Sequence, residues 1–451
     1  MKKNYSFTFK RTLLLFGLAV NFLSLKGQQW ENVGSSANVS AGGSSYNNLT
    51  VDATGKYYLS YYDTSVSKGS VQKFEGNSWS YLGGTAGITT GIALYNSLSV
   101  DGLGNVFYTN QGTGLEVRKF SGTSWSALTS ATSNTVNFHA SAVSPANVLF
   151  TYSSDGSGTV RRFANNVWEQ VGNAGFSSGA AFAEMVIGTN NKIYTCNVSS
   201  GVRVYENTTS ATSTDNWTMV GGAIVDASSS GEQYTSDIAI DGNNNVYVAY
   251  ISNSTSGRKI NVKKWNGTSW SQVGNANFSA KAVQHLAIAV TSGGTPFVVA
   301  SQWDSSDGNH LKNTVYKLDS VTDTWSSFGG SFVSDDQATY NDLAIDALNN
   351  YLVLAYSQGT TKVKRISLSN LSVNDAKKEV STVYPNPTTG IIYVKGEDKI
   401  KSVQVSDVAG RTVTSQNDAE KIDISNATAG VYFVTIKTQT DKIITKKIIK
   451  K

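Results

Sequence analysis

The sequence predicts an all-β protein: a seven-bladed β-propeller closed by an N-terminal strand, followed by a small Ig-like β-sandwich. Three observations carry this. A tryptophan motif recurs six times at intervals of 49, 46, 43, 49, 53 and 55 residues. Each interval holds the same order of short alternating strands and Gly/Asn-rich turns. The two ends of the array are complementary fragments of one unit. Composition agrees, since 41 glycines, 4 prolines and only 15% charged residues suit many tight turns rather than long helices.

The repeat reads Trp30-Glu31-Asn32-Val33-Gly34, then Trp79 to Gly83, Trp168 to Gly172, Trp217 to Gly221, Trp270 to Gly274 and Trp325 to Gly329, with Trp125 heading a degenerate copy that ends in Leu128-Thr129. Between tryptophans comes an alternating strand such as Leu49 to Asp52, Leu98 to Asp101, Ile238 to Asp241 or Leu343 to Asp346. A turn such as Asp241-Gly242-Asn243-Asn244-Asn245 leads to a β-branched and aromatic strand (Tyr57 to Tyr62, Val246 to Ile251, Tyr351 to Tyr356), and then to a third strand such as Val71 to Phe74 or Val262 to Trp265. Four strands in 40–50 residues is the pattern of a propeller blade. Residues 330–371 supply three strands without a tryptophan, and Trp30 to Gly34 supplies a tryptophan strand with nothing before it. Joined, they complete a seventh blade and remove an exposed sheet edge.

The tryptophans are expected between blades rather than at a ligand, because every blade carries one. Lys73, Lys119, Arg162, Lys264, Lys317 and Arg365 share one position in the third strand and read as a solvated strand face. The Asp-Gly turns lack the downstream acid of a calcium loop, so turn chemistry accounts for them.

Charge excludes nucleic acid as a partner. The net +5 equals the five cations of residues 1–27 (Lys2, Lys3, Lys10, Arg11, Lys26), and residues 28–371 are net −4. Residues 1–27 pair a basic start with an apolar run from Leu13 to Val20, too short to span a membrane, and read as a signal peptide cleaved after Gly27. No transmembrane segment is expected once it is removed.

Candidate site residues come from the inner strands, which line the central channel. The position before the first aliphatic residue gives Asn48, Ser97, His139, Glu184, Asp237, His285 and Asp342. Two positions earlier stand Tyr46, Tyr95, Asn137, Phe182, Thr235, Val283 and Tyr340, an aromatic-rich rim, and Trp303 is expected on a loop facing the same side. Polar groups with aromatics around a concave mouth suit a glycan or peptide ligand. Polar residues at a wet channel mouth need no ligand either. No cofactor or metal is expected: Cys196 is the one cysteine, and neither HExxH nor any paired-ligand spacing is present. No catalytic residue is assigned. A Gly-x-Ser-x-Gly elbow is missing, and the arginines of the middle segment, Arg258 among them, are expected beside third strands and away from the mouth. An acid–base pair such as Glu184 with Asp237 keeps sugar chemistry open as an alternative.

The composition changes near 372, where a linker (372–381) precedes alternating strands over 382–451. Tyr384-Pro385-Asn386-Pro387 with Gly390, the turn Asp407-x-x-Gly410-Arg411, Gly430-x-Tyr432 and a Lys/Ile-rich last strand occur in order. This stretch resembles the type A C-terminal sorting domain of the type IX (Por) secretion system of Bacteroidetes. The resemblance implies partnership with that translocon and its sortase, and a secreted or outer-surface location. The expected function is binding of an extracellular glycan or surface protein. The alternatives are a glycan hydrolase or lyase on the same face, or a structural adhesion component.

Overall fold

The computed structural model describes residues 28–369 and 382–451, apart from 113, 200, 233, 396–398, 409 and 440–442. The expected signal segment and linker lie outside the described residues. The chain divides into two compact units at Ser369/Asn370.

In the first unit, seven four-stranded antiparallel sheets follow one another. Blade 1 is Ser44–Val51, Tyr57–Asp63, Lys68–Glu75 and Ser78–Tyr81. The innermost strands of blades 2–6 are Asn96–Val100, His139–Val143, Glu184–Ile187, Ser236–Ile240 and Val283–Val290. Blade 7 joins Thr339–Asp346, Tyr351–Gln358 and Thr360–Ser367 to the N-terminal strand Glu31–Asn32. Each innermost strand packs against the next in an unbroken circle, blade 7 against blade 1 included. Closure is by backbone pairing, Glu31 opposite Arg365 and Asn32 opposite Lys364, extended by Val33 N–H to the Val363 carbonyl at 2.9 Å.

The repeated tryptophan has one job in all seven blades. Its indole N–H donates to a backbone carbonyl of the preceding blade: Trp30 to Phe328 (3.1 Å), Trp79 to Val33 (2.9 Å), Trp125 to Leu82 (2.7 Å), Trp168 to Thr129 (2.8 Å), Trp217 to Val171 (3.2 Å), Trp270 to Val220 (3.0 Å) and Trp325 to Val273 (2.9 Å). The glycine of the motif explains itself at Gly329. Its φ is +77°, and a Cβ there would lie 2.5 Å from the Trp30 indole nitrogen. So the motif is an inter-blade joint in which one blade's glycine seats the next blade's tryptophan. The third-strand cations lie over second-strand rings, as Lys264 over Tyr247 (5.1 Å) and Arg365 over Tyr351 (4.4 Å). The Asp turns are closed by their own side chain, Asp241 accepting from the N–H of Asn243 and Asn245, both at 2.9 Å.

The second unit is a sandwich of two antiparallel sheets. One holds Thr382–Tyr384, Ile391–Lys395 and Lys421–Asp423; the other is ordered Thr412–Asn417, Ile400–Asp407, Gly430–Thr438, Ile443–Lys450. Alternation puts Ile392, Val394, Val403, Val405, Val434, Ile436 and Ile448 into one core. The Tyr-Pro-Asn-Pro motif clasps the last strand: Asn386 donates to the Lys447 carbonyl (3.0 Å) and accepts from Ile449 N–H (2.9 Å). Tyr432 donates to the Thr428 carbonyl at 2.7 Å, and Arg411 folds back on Asp407 at 2.8 Å.

Candidate functional site

Where the chain crosses from one blade to the innermost strand of the next, an aromatic ring turns toward the channel. Six of these positions have left-handed backbone: Tyr46 (φ 58°), Tyr95 (46°), Phe182 (53°), Tyr234 (54°), His285 (53°) and Tyr340 (52°). Bulky residues avoid that region, so the surrounding structure must hold each one there. Phe138 fills the same place in blade 3. The rings touch around the channel: Tyr46–Tyr95 at 5.1 Å, Tyr95–Phe138 at 5.6 Å, Phe138–Phe182 at 4.5 Å, Tyr234–His285 at 5.3 Å and Tyr340–Tyr46 at 4.8 Å. Tyr234 of blade 5 also reaches Tyr340, two blades from its own (5.4 Å), and Tyr46, three blades from its own (6.5 Å). The rim is therefore a nearly continuous aromatic layer.

That rim departs from the expected one in three blades. Asn137 is exposed and Phe138 takes its place, Thr235 is buried and Tyr234 takes its place, and Val283 is buried while His285 joins the rings. In blade 6 the cause is a bulge, of a kind that blades 1 and 7 also carry while still bringing Tyr46 and Tyr340 to the rim. The pairing of the first two strands slips between Ser45 and Asn48, Gln284 and Ala287, and Thr339 and Asp342, which inserts a residue and changes which side chains face inward.

Beyond the rim residues in each innermost strand comes a second ring around a cavity of about 120 Å³, formed by Asn48, Ser97, Ala140, Glu184, Asp237, Ala287 and Asp342. Five of the seven predicted inner residues are there. His139 and His285 are not at that position, which Ala140 and Ala287 hold. His139 reaches the cavity wall from one residue earlier, with Nε2 2.9 Å from Thr109 Oγ1, and His285 belongs to the rim. Burial holds both imidazoles down to about 4. Hence neither carries charge near neutral pH.

The inner ring stitches blades together. Asp342 accepts from Leu49 N–H (2.6 Å) in blade 1, and Asp237 from Ile288 N–H (2.8 Å) in blade 6. Ser97 accepts from Ser141 N–H (3.1 Å), and Asn48 donates to the Asn96 carbonyl (2.9 Å). The Glu184 carboxyl has no hydrogen-bond partner among the described residues. Burial pushes the carboxyls of Asp237 and Asp342 up to about 7, against the pull of the N–H groups they accept. Glu184 stands well above the ordinary carboxylate range, through burial first and then through Asp237 and Asp342. Asp237 and Asp342 can therefore exchange protons near neutral pH. Among the described residues, no group of three or more His, Cys, Asp and Glu is placed to hold a metal. Cys196 is fully buried, with its thiol pushed up by burial, so it offers no nucleophile.

Trp303, 46% exposed, lies outside the cavity on the loop after the second strand of blade 6. Arg258 is not away from this face, as its place beside a third strand suggests. Its guanidinium lies 5.6 Å from the centre of the Trp303 ring. Both residues are tied to the start of the His285 strand, Trp303 N–H to the Ala282 carbonyl (2.7 Å) and Val283 N–H to the Arg258 carbonyl (3.0 Å). An arginine that joins a loop cluster leaves no periodic trace in sequence.

The chain is similar in fold to two structures of a PL25 ulvan lyase, a polysaccharide lyase, one of them bound to -[GlcA(1-4)Rha3S]-. The matches have TM-scores of 0.52 and 0.51 at 10% and 9% identity, each covering 74% of this chain and 96% of that chain. SapL1 lectin in complex with alpha methyl fucoside matches at a TM-score of 0.44 and 12% identity, over 66% of this chain and 98% of that one. None of the curated proteins compared matches the chain. No helix among the described residues is long and apolar enough to cross a membrane. Residues 382–451 match the secretion system C-terminal sorting domain, with its Tyr-Pro-Asn-Pro motif clasped on the last strand, so the chain carries a type IX sorting domain that directs it to the cell surface or the extracellular space.

Proposed function

We propose that this exported propeller binds an extracellular glycan across its aromatic rim. The observation that carries the reading is the layer of rings from Tyr46, Tyr95, Phe138, Phe182, Tyr234 and Tyr340, each held where its face or edge meets the channel opening. Aromatic faces with polar tips are suited to the alternating C–H and hydroxyl surfaces of sugars. The cavity behind them, about 120 Å³, is small beside the roughly 300–1,000 Å³ of enclosing ligand sites. The ligand therefore lies over the rings rather than inside the channel. The likeness in fold to a polysaccharide lyase makes saccharides the first ligand class to try. Glycan-array binding by the full chain tests this, with Tyr46→Ala and Tyr340→Ala as variants. Selective binding that both variants abolish is expected. An array signal unchanged by both, or none at all from the wild type, overturns it.

Glu184 favours a second reading, a glycan-cleaving enzyme on the same face. Burial and the neighbouring Asp237 and Asp342 raise this carboxyl above its ordinary range, the direction that a general acid donating to a leaving sugar oxygen needs. The double variant Glu184→Gln, Asp237→Asn separates the two: lost product release with retained binding supports an enzyme. Adhesion that survives replacement of the rim would instead point to a structural component.

A further inference from the structure

The cluster around Arg258 has donors with nothing to receive them. Its Nη1 donates to both carboxylate oxygens of Glu232, at 2.8 and 2.9 Å. Nε and Nη2, the other edge of the guanidinium, are buried and have no hydrogen-bond partner among the described residues. Two unpaired donors on one cation are costly, and a native protein keeps them only where something fills them. The backbone also commits Arg258 to this place. Its φ is +54°, with its N–H on the Asn253 carbonyl at 3.1 Å. Trp303 covers the guanidinium face and is braced by His310, whose Nδ1–H donates to the Trp303 carbonyl at 2.9 Å. Two lysines and an aspartate lie nearby. Lys259 is held below the usual lysine range by burial and then by Lys281, and Lys281 in turn pairs with Asp304 at 3.3 Å.

We propose that the Nε/Nη2 edge of Arg258 is a bidentate seat for an oxoanion on the glycan, a uronate carboxylate or a sulfate ester, with Trp303 stacking on the sugar that bears it. The two parallel N–H groups match two oxygens of either anion, a geometry that lysine cannot reproduce. The ring of Trp303 over that cation is 46% exposed, and in this proposal it moves aside to uncover the edge as the anion arrives. The proposal rests on the glycan reading of this face and narrows it to acidic glycans.

The test is calorimetric titration of the full chain with oligogalacturonate (carboxylate only), a κ-carrageenan oligosaccharide (sulfate only) and a neutral agaro-oligosaccharide. At least one acidic probe is expected to bind more tightly than the neutral one. Arg258→Lys, which keeps the charge and loses the fork, is expected to weaken that probe about tenfold to a hundredfold, as the loss of charged hydrogen bonds implies. Trp303→Ala, a surface change that leaves Arg258 in place, should weaken it as well and remove the fluorescence change on binding. Which acidic probe responds identifies carboxylate or sulfate as the anion. Equal binding of neutral and acidic probes, or acidic binding that Arg258→Lys and Trp303→Ala leave intact, overturns the seat and spares the glycan reading. No binding of any saccharide overturns both.

Discussion

The Asp342 carboxylate in blade 7 accepts the Leu49 N–H of blade 1 at 2.6 Å, across the junction where the ring of blades closes. Asp237 makes the same bond from blade 5 to Ile288 of blade 6. The polar residues of the inner ring thus hold adjacent blades together whether or not a ligand is present. Their burial, which raises the carboxyl pKa values, is part of that structural role.

A pH dependence of stability follows, and its sign depends on the window. Folded Asp237 and Asp342 hold their protons to about pH 7, and Glu184 is shifted in the same direction, while unfolded carboxyls lose theirs near 4. In that range the folded state binds more protons at the carboxyls, so their contribution falls as pH rises. His139 and His285 act oppositely between about 4 and 6.5, because the folded imidazoles resist protonation. The two effects partly cancel below 6.5. Above it the histidines are neutral in both states, and stability is expected to drop between about pH 6.5 and 8. Urea unfolding at stepped pH checks this, and Asp342→Asn should lower stability overall while flattening the slope.

Closure of the ring can be loosened at one glycine. In Gly329→Ala the new methyl meets both the Trp30 indole and the Ile366 side chain at 2.5 Å, on backbone of φ +77°. The expected loss is roughly 1–3 kcal/mol from overpacking and left-handed strain. Gly76→Ala has φ +57° and open space around its Cβ, so it reports the backbone cost alone. Equal urea midpoints for the two variants would show that the tryptophan seat contributes nothing.

The blades were legible because every one repeats a joint: a tryptophan that donates backward, and a glycine or its substitute that receives the next tryptophan. Four strands, their order and the shared seventh blade follow from that periodicity. The site was legible only where the repeat is regular. Asn48 and Asp342 sit one residue before an inward aliphatic residue, as expected, because their bulges precede them in the same way. In blade 6 the aliphatic Leu286 is itself a bulge residue, so counting back from it placed His285 among the carboxylates. In blade 3 small Ala140 occupies the ring and His139 precedes it. Alternation by two cannot see an inserted residue. Nor can it see Arg258, whose neighbours come from three loops.

Tyr234 is the ring that bridges the opening, touching both Tyr46 and Tyr340. Tyr234→Ala is expected to admit water to the carboxyl ring, return Asp237 and Asp342 toward ordinary carboxylate values, and cost about 3 kcal/mol or more through the cavity it leaves. NMR titration of the carboxyl carbons checks the first effect, and unchanged titrations at both aspartates would show that the aromatic layer does not shield them.

In the sorting domain, Asn386 binds the final strand through both ends of its amide, to Lys447 and Ile449, while Thr388 N–H donates to the Ile449 carbonyl at 2.8 Å. The motif and the chain's last strand are thus one local structure, although about sixty residues separate them. These bonds are near the surface, so Asn386→Ala is expected to cost only about 1 kcal/mol of domain stability. A change that small leaves the core of Ile392, Val403, Val434 and Ile448 intact. If export depends on the presentation of the last strand rather than on the fold alone, the variant accumulates inside the outer membrane although its unfolding midpoint barely moves. Cell fractionation alongside urea unfolding distinguishes the cases. Normal export of Asn386→Ala would mean that the clasp serves stability alone, and that the recognised feature lies elsewhere in the domain.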